Sequence, residues 1–268
     1  MAASKENRFR TLLNEGKPTV GTRIWTSQTF FVEGLGSTGY FDYAEFVAEY
    51  ASYTLEELRN FCIAAELHGM SSMIKVDFQN RGFVAQKAIA SGFQAINFVD
   101  CRNADEVREC IRLTTAETPE DGGIYGFPNN RFIGWEPWTT QSNHARRLRN
   151  IVRCFMIEKN STIKVLDEVL SVPGVDMVQF GPSDYSMSSG LDFKDNTAKV
   201  RAVERDVIRC ALEHGVRPRC EIQSVEDAQY YIDLGVKDFS MGDQMKLLFR
   251  DWNADGSGIR RVIGENSL

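Results

Sequence analysis

The sequence predicts an α/β fold in which residues 1–268 form a single-domain (β/α)8 TIM barrel. Short apolar runs alternate with segments of helical periodicity along the whole chain, a pattern typical of βα units around a parallel sheet. Eight such units fit the roughly 250 residues of a closed barrel. The absence of a GxGxxG or GxxxxGKS/T motif disfavours a doubly wound nucleotide-binding sheet. The predicted strands cover residues 19–25, 41–49, 72–76, 94–99, 152–158, 176–180, 217–222 and 238–241.

Helical segments separate these strands. In residues 55–67 apolar positions recur at intervals of three and four, and Thr54 is of a residue type that caps helix N-termini. The same periodicity predicts helices over residues 104–113, 163–170, 198–214 and 225–234.

One connection, at about residues 115–150, is much longer than the others and is rich in glycine and aromatic residues, with Pro128 near its middle. Long connections of this kind in a compact domain are usually functional. We therefore predict a lid or an oligomer contact, with a surface loop around its own small core as an equal alternative.

Composition narrows the class of protein. The chain has 31 basic and 37 acidic residues, a net charge of −6 and no basic run, which argues against binding of nucleic acid or anionic lipid. Residues 1–8 do not resemble a signal peptide, and no apolar run reaches the roughly 18 residues of a membrane span. We predict a cytoplasmic protein.

The six cysteines lack CxxC spacing, so we expect no zinc ribbon or disulfide framework, and most thiols should be buried.

Two carboxylates follow the fifth and sixth predicted strands. Glu158 comes at the end of one strand and Asp184 four residues after the other. Active sites of (β/α)8 barrels lie at the C-terminal strand ends, so these side chains would meet there. Such oxygen ligands suit Mg²⁺ or Mn²⁺, with Co²⁺ or Zn²⁺ as further candidates. Alternatively, Glu158 stabilises the N-terminus of the next helix and Asp184 caps a turn.

The residues around this pair resemble the HpcH/HpaI aldolase family of class II, metal-dependent pyruvate aldolases. The resemblance covers nearly the whole chain and is sharpest at residues 156–158 and 180–186. It implies that Glu158 and Asp184 bind the metal, and that the backbone of residues 181–184 holds the carboxylate of a pyruvate-like 2-oxo acid, as helix N-termini hold anions. The implied substrate-binding residues are Gly181, Pro182, Ser183 and Trp25, the last on an apolar wall of the site.

The resemblance also implies a histidine base and an arginine, and here the chain departs from the family. Tyr50 replaces the histidine, Val47 replaces its aspartate partner, and Lys75 replaces the arginine. We interpret Lys75 as the cation that stabilises an enolate, with a Schiff-base lysine and a lysine snorkelling at the rim as alternatives. Tyr50, Glu49 and a water activated by the metal are the candidate acid–base groups.

Four other polar residues have side chains that could lie at the site or elsewhere in the fold. Glu45 points either into the barrel mouth or into an ion pair inside the barrel. His68 and His214 each precede a glycine at the end of a helical segment and are predicted to be structural. His144, at the exit of the long connection, is predicted to lie at the surface.

Together these residues predict a divalent-metal-dependent carbon–carbon lyase of the aldolase type that acts on a pyruvate-like 2-oxo acid through an enolate, with an aldehyde as second partner. Alternatives are a decarboxylase, tautomerase or other lyase for 2-oxo diacids, and a non-catalytic oxo-acid-binding barrel. Family members assemble from dimers, commonly into hexamers, with the last helices exchanged. The apolar residues 245–252 fit such an exchange in a homo-oligomer, or close their own barrel.

Overall fold

The structure, a computed structural model, describes residues 7–127 and 130–264. Residues 1–6 of the N-terminal segment, Pro128 of the long connection and the last four residues of the domain lie outside the described residues. No helix within the described ranges is both long enough and apolar enough to cross a membrane.

Eight parallel strands close into one barrel in chain order, which confirms the predicted (β/α)8 fold. They are β1 (Thr19–Ile24), β2 (Tyr43–Val47), β3 (Ser71–Val76), β4 (Ala95–Phe98), β5 (Val152–Ile157), β6 (Met177–Phe180), β7 (Arg217–Ile222) and β8 (Asp238–Asp243). The second strand is shorter than predicted because the chain turns after Val47, whose carbonyl accepts the N–H of Ala51 at 3.1 Å. Glu49 and Tyr50 therefore lie beyond the sheet, at its C-terminal edge.

Helices surround the barrel. They are α1 (Arg8–Asn14), α2 (Thr29–Ser37), α3 (Leu55–Leu67), α4 (Arg81–Ser91), α5 (Ala104–Leu113), α6 (Gln141–Arg149), α7 (Asn160–Ile163), α8 (Leu166–Leu170), α9 (Pro182–Ser188), α10 (Thr197–Glu213), α11 (Ala228–Asp233) and α12 (Gln244–Val262), with 3₁₀ turns at Arg131–Ile133 and Val225–Asp227. The predicted helices at 55–67 and 104–113 are confirmed to the residue. The one predicted at 163–170 is instead split between α7 and α8.

Side-chain caps set where the helices begin after their strands. Thr54 and Glu57 form a capping box on α3, in which the Glu57 carboxylate accepts the Thr54 N–H at 2.6 Å. Asn103 accepts the N–H of Glu106 at 2.9 Å at the start of α5. A capping side chain thus fixes the first turn of each of these two helices.

The barrel interior combines an apolar cluster with a buried ion pair. Phe9 of α1 enters from the N-terminal end and stacks on Tyr43, with ring centroids 4.5 Å apart. Glu45 is fully buried and forms an ion pair with Arg219, while the Asn97 amide donates to Glu45 at 2.8 Å. Of the two interpretations of Glu45, the ion pair inside the barrel is therefore confirmed.

The long connection lies at the N-terminal end of the barrel, because it joins the end of α5 to the start of β5. Within it Arg131 forms an ion pair with Glu66 at the end of α3, at 2.5 Å, and donates to the Ser91 carbonyl at the end of α4, at 3.2 Å. The prediction that this connection forms a lid over the mouth of its own barrel is therefore wrong, because the mouth lies at the opposite end.

Aromatic side chains of the connection surround His144. The imidazole is buried among Tyr125, Phe127 and Phe132, and its Nε2 lies 3.0 Å from the Gly126 carbonyl oxygen. The prediction that His144 lies at the surface is therefore wrong. Tyr125 belongs to the main apolar cluster of the barrel and Phe132 packs against it, so a loop with a core of its own stays a prediction. His68 and His214 follow α3 and α10 directly, as predicted. Five of the six cysteines are buried, as expected for most of them, and none forms a disulfide.

Candidate active site at the barrel mouth

Glu158 lies at the C-terminal rim, directly after β5, and is only 2% exposed. Its Oε1 accepts the N–H of Asp100 at 2.9 Å. Asp100 follows β4 and has a φ of 58°, a left-handed conformation that non-glycine residues rarely adopt and that commonly occurs at functional sites. Glu158 is thus held by the neighbouring strand end. It also lies two residues before α7, so its alternative interpretation, stabilisation of the N-terminus of that helix, stays a prediction.

Gly181 closes tightly over the Glu158 carboxylate. A Cβ atom at position 181 would lie 2.7 Å from Glu158 Oε2 and 2.8 Å from Glu158 Cβ, which only glycine avoids. The Gly181 N–H donates to the Ile157 carbonyl at 3.1 Å and continues the β5–β6 pairing to the rim. Pro182 then occupies the first helical position of α9, where a missing N–H costs nothing.

Asp184 lies in the first turn of α9 and is partly exposed. Lys159 lies between acidic partners, with its Nζ 2.5 Å from Asp100 Oδ1 and 3.5 Å from Asp184 Oδ1. The structure thus brings the two predicted metal-ligating carboxylates to the same rim. Lys159 and Asp100, which contact them, were not identified from the sequence, although each comes at a strand end.

The electrostatics of Glu158 are unusual for a carboxylate. Burial, with smaller contributions from the charges of Asp184 and Asp100, raises its pKa to about 7, although the positive charge of Lys75 and the hydrogen bond from the Asp100 N–H act in the opposite direction. The negative charge of Glu158 is therefore incompletely compensated by the protein. A bound divalent cation would supply the missing compensation.

Lys75, Glu49 and Tyr50 form a second group on the same rim. Lys75 is the penultimate residue of β3 and is 7% exposed. Its Nζ lies 2.6 Å from Glu49 Oε2 and 5.4 Å from the centre of the Tyr50 ring. It does not snorkel to solvent, so that interpretation is wrong. The pKa of Tyr50 is raised by burial and, next, by the Glu49 charge, so its phenol stays protonated at neutral pH.

Trp25 and Tyr50 form an aromatic wall. Their rings stack with centroids 5.6 Å apart and planes 13° apart, and both side chains are exposed toward the mouth. The backbone N–H of Trp25 donates to Gln244 Oε1 at 2.9 Å, which fixes the chain at the end of β1. Through Tyr50 this wall adjoins the Lys75 and Glu49 side chains.

The ends of β1, β7 and β8 contribute a charged cluster that the sequence analysis missed. Arg23 lies 2.5 Å from Glu221 Oε1 and 3.5 Å from Asp243 Oδ2. Its guanidinium is thus already engaged by two carboxylates. All three residues lie near strand ends, and this position was the one sequence feature that could have predicted the cluster. Strand-end position alone, however, does not distinguish structural ion pairs from reactive groups.

Comparisons with known proteins agree with this architecture. A family model described as HpcH/HpaI aldolase/citrate lyase matches residues 51–248. A 4-hydroxy-2-oxo-heptane-1,7-dioate aldolase of Escherichia coli is 26% identical over 247 residues, which cover 91% of this chain and 92% of that protein.

Two solved structures share the fold. The citrate synthase SbnG superposes with a TM-score of 0.85 at 19% identity, covering 97% of this chain and 100% of that one. An HpcH/HpaI aldolase/citrate lyase family protein of Burkholderia cenocepacia gives a TM-score of 0.86 at 18% identity, with 95% and 100% covered. At these identities the likeness shows the fold.

Proposed function

Because the chain belongs to the HpcH/HpaI aldolase/citrate lyase family and is therefore a lyase acting on oxo acids, we propose that it makes or breaks a carbon–carbon bond in a pyruvate-like 2-oxo acid. The reaction would depend on a divalent metal and pass through an enolate. The observation that carries the proposal is the buried, undercompensated Glu158 carboxylate beside Asp184 at the barrel mouth.

Glu158 and Asp184 are the residues that would hold the metal. Two carboxylates leave room for water and a chelating substrate, a ligand set that suits Mg²⁺ or Mn²⁺, with Co²⁺ and Zn²⁺ as alternatives. The absence of a side chain at Gly181 fits this role, because it keeps the Glu158 carboxylate unobstructed at the rim. The ion, when bound, would polarise the keto oxygen of the substrate as a Lewis acid.

The start of α9 is the proposed site for the substrate carboxylate. Ser183 and Asp184 lie in the first turn, where backbone N–H groups have no acceptor within the helix. Such groups and the helix dipole favour an anion. Gly181, Pro182 and Ser183 would thus line one end of the substrate, and the wall formed by Trp25 would cover it.

Lys75 is the proposed cation for the negative charge that develops on the substrate oxygen. Its ammonium is nearly buried, where such a charge interacts most strongly. The Glu49 carboxylate lies 2.6 Å from the Lys75 Nζ. An amine held in this ion pair is not free to attack a ketone, which disfavours a Schiff base.

Glu49 and Tyr50 are the proposed acid–base pair. Glu49 adjoins both Lys75 and the Tyr50 phenol, and it can accept a proton. Burial and, next, the Glu49 charge raise the pKa of the Tyr50 phenol, so it keeps its proton at neutral pH and would yield it only to a strongly basic group such as an enolate carbon. Tyr50 lies where the resemblance implies a histidine base. This difference favours a second candidate function, a decarboxylase or tautomerase that acts on 2-oxo diacids and uses the same metal ligands, Glu158 and Asp184.

Exchange of the pyruvate methyl protons tests the proposal. Incubation with pyruvate and Mg²⁺ or Mn²⁺ in D₂O should show loss of the methyl signal by NMR. Glu158→Gln and Asp184→Asn should abolish the loss, while Glu15→Gln, an exposed carboxylate at the opposite end of the barrel, should preserve it. Release of carbon dioxide from a 2-oxo diacid without aldehyde would favour the second candidate. Oxalate binding without exchange under any divalent metal would show a non-catalytic barrel.

We also propose that α12 mediates a homo-oligomer. The helix has 19 residues, and among its described residues Gln244 is the one that is buried. Phe249 and Trp252 are 68% and 61% exposed. Met245 precedes Phe249 by four residues and Ile259 follows Trp252 by seven, so all four side chains lie on one face of the helix. A second copy of this chain would cover that apolar face, as an exchanged helix in a dimer-based assembly or hexamer does.

A further inference from the structure

Outside the barrel, α8 and α10 bring together three side chains that bind metals in other proteins. Cys210 and His214 are one turn apart in and just after α10, and Asp167 of α8 faces them. In the described part of the chain this is the one group of three His, Cys, Asp or Glu residues whose ligand atoms all lie within 4.8 Å of each other. It lies where α10 ends and leads into the start of β7, at the end of the barrel opposite Glu158 and Asp184.

We propose that Asp167, Cys210 and His214 form a zinc site separate from the barrel mouth. Zinc bonds of about 2.0 Å to nitrogen and oxygen and about 2.3 Å to sulfur place tetrahedral ligand atoms about 3.3–3.6 Å apart. Asp167 Oδ1 lies 3.5 Å from Cys210 Sγ and 3.6 Å from His214 Nε2. Two of the three ligand separations thus already match a tetrahedral ion, with water as the fourth ligand.

The imidazole of His214 is oriented for this role. Its Nδ1 lies 2.9 Å from the Cys210 carbonyl oxygen, which can only accept, so Nδ1 carries the proton. Nε2 then presents its lone pair toward Asp167. Metal-binding histidines are commonly fixed in this way, with the other ring nitrogen donating to a backbone carbonyl.

The ligand types give this site a different metal preference from that of the mouth. A thiolate and an imidazole select zinc or other soft to borderline ions, whereas the two carboxylates at the mouth suit hard ions such as Mg²⁺. Asp167 is 84% exposed and His214 24% exposed at the side chain, so an ion can enter from solvent. The sequence analysis found no zinc spacing because Asp167 is 43 residues from Cys210 and belongs to another helix.

Zinc at this position would tie α8 to α10 on the outer ring of helices. Because binding to the folded state alone stabilises a protein, the unfolding temperature should rise with zinc concentration. The part of the rise that is lost in Cys210→Ser should be absent with Mg²⁺, which would stabilise the protein through the mouth alone. We infer a structural or regulatory ion here, independent of the chemistry at the mouth.

Cobalt spectroscopy of the chelator-treated full-length protein tests the site. Co²⁺ bound to a thiolate gives a near-ultraviolet charge-transfer band, whereas the two ligands proposed at the barrel mouth, Glu158 and Asp184, are carboxylates. The wild-type protein should show the band at one Co²⁺ per chain, and Zn²⁺ should remove it. Cys210→Ser should abolish the band. His214→Gln should weaken Co²⁺ binding at least tenfold, because even the loss of a group that only orients a ligand costs that much.

The controls distinguish this site from the rest of the molecule. His68→Gln changes a histidine in the same helix-end context and should leave the band intact, as should Glu158→Gln. Alkylation of Cys210 in the wild type, located by mass spectrometry, should be slowed several-fold by Zn²⁺ but not by Mg²⁺. A band that survives in Cys210→Ser, or Cys210 alkylation that zinc does not alter, would overturn the proposal.

Discussion

The ammonium of Lys75 lies 2.6 Å from the Glu49 carboxylate, in a pair that is almost completely withdrawn from solvent at the barrel mouth. Lys75 reaches it from the end of β3, and Glu49 from the turn that follows β2. The Glu49 N–H also donates to the Lys75 carbonyl at 3.1 Å, so backbone and side chains fix the pair together. Such a cation beside a proton acceptor is what enolate chemistry needs.

Replacing Lys75 should therefore affect turnover more than substrate binding. We expect Lys75→Met to lower kcat for pyruvate proton exchange by about 10²–10³-fold, the loss that follows removal of one group stabilising a developing oxyanion. Lys75→Arg should recover part of the rate because it keeps the charge. NMR exchange rates over a range of pyruvate concentrations separate kcat from KM. Borohydride with pyruvate should leave no adduct on Lys75, and an adduct would instead support the Schiff base.

The raised pKa of Glu158 should appear in the stability of the metal-free protein. The folded state holds its proton up to a pKa of about 7, whereas the unfolded chain releases it near the ordinary value of 4.5. The folded state binds more protons between these values, so the contribution of Glu158 to stability is present below pH 4.5 and is lost as pH rises to about 7. The loss is on the order of 2–3 kcal/mol.

Urea unfolding of the chelator-treated protein from pH 5 to pH 8 measures this contribution. The free energy of unfolding should fall with pH in the wild type relative to Glu158→Gln, which has no titrating carboxyl at that position. Glu15→Gln should follow the wild-type curve. Parallel curves for wild type and Glu158→Gln would contradict the raised pKa.

The barrel and most helices could be predicted from the sequence because their signals are local. Alternating strands and helices follow from periodicity over ten or so residues, and Thr54 marks the start of α3 by its capping chemistry. The split between α7 and α8 was missed because residues 160–170 keep a helical apolar pattern while the backbone bends between them.

The candidate site was less predictable because its contacts join distant segments. The identities of Glu158, Asp184 and Lys75 could be taken from strand-end positions and the family resemblance. The Lys75–Glu49 contact depends on the turn after Val47, which periodicity does not reveal. The burial of His144 likewise depends on three aromatic residues of its loop, which the sequence alone did not place around it.

Gly181→Ala should impair the metal site without unfolding the protein. The new methyl group would lie 2.7 Å from Glu158 Oε2, so the carboxylate or the strand end must shift. We expect metal affinity to fall about 10–100-fold, as when groups that orient metal ligands are removed. Calorimetry with Mn²⁺ measures the change. Gly34→Ala, a helical glycine with open space around it, should bind Mn²⁺ like the wild type, and equal affinity in Gly181→Ala would contradict the close approach.

The exposed apolar face of α12 should form an interface between two copies of the chain. If a second copy of the chain covers Phe249 and Trp252, the double substitution Phe249→Glu and Trp252→Glu places charge in an apolar interface and should dissociate the assembly. Light scattering after gel filtration should then give a mass near the 30.3 kDa of one chain, and a multiple of it for the wild type. Arg250→Ala changes an exposed residue on another face of the helix and should keep the wild-type mass. A wild-type protein that is already monomeric would show that α12 has another partner or closes only its own barrel.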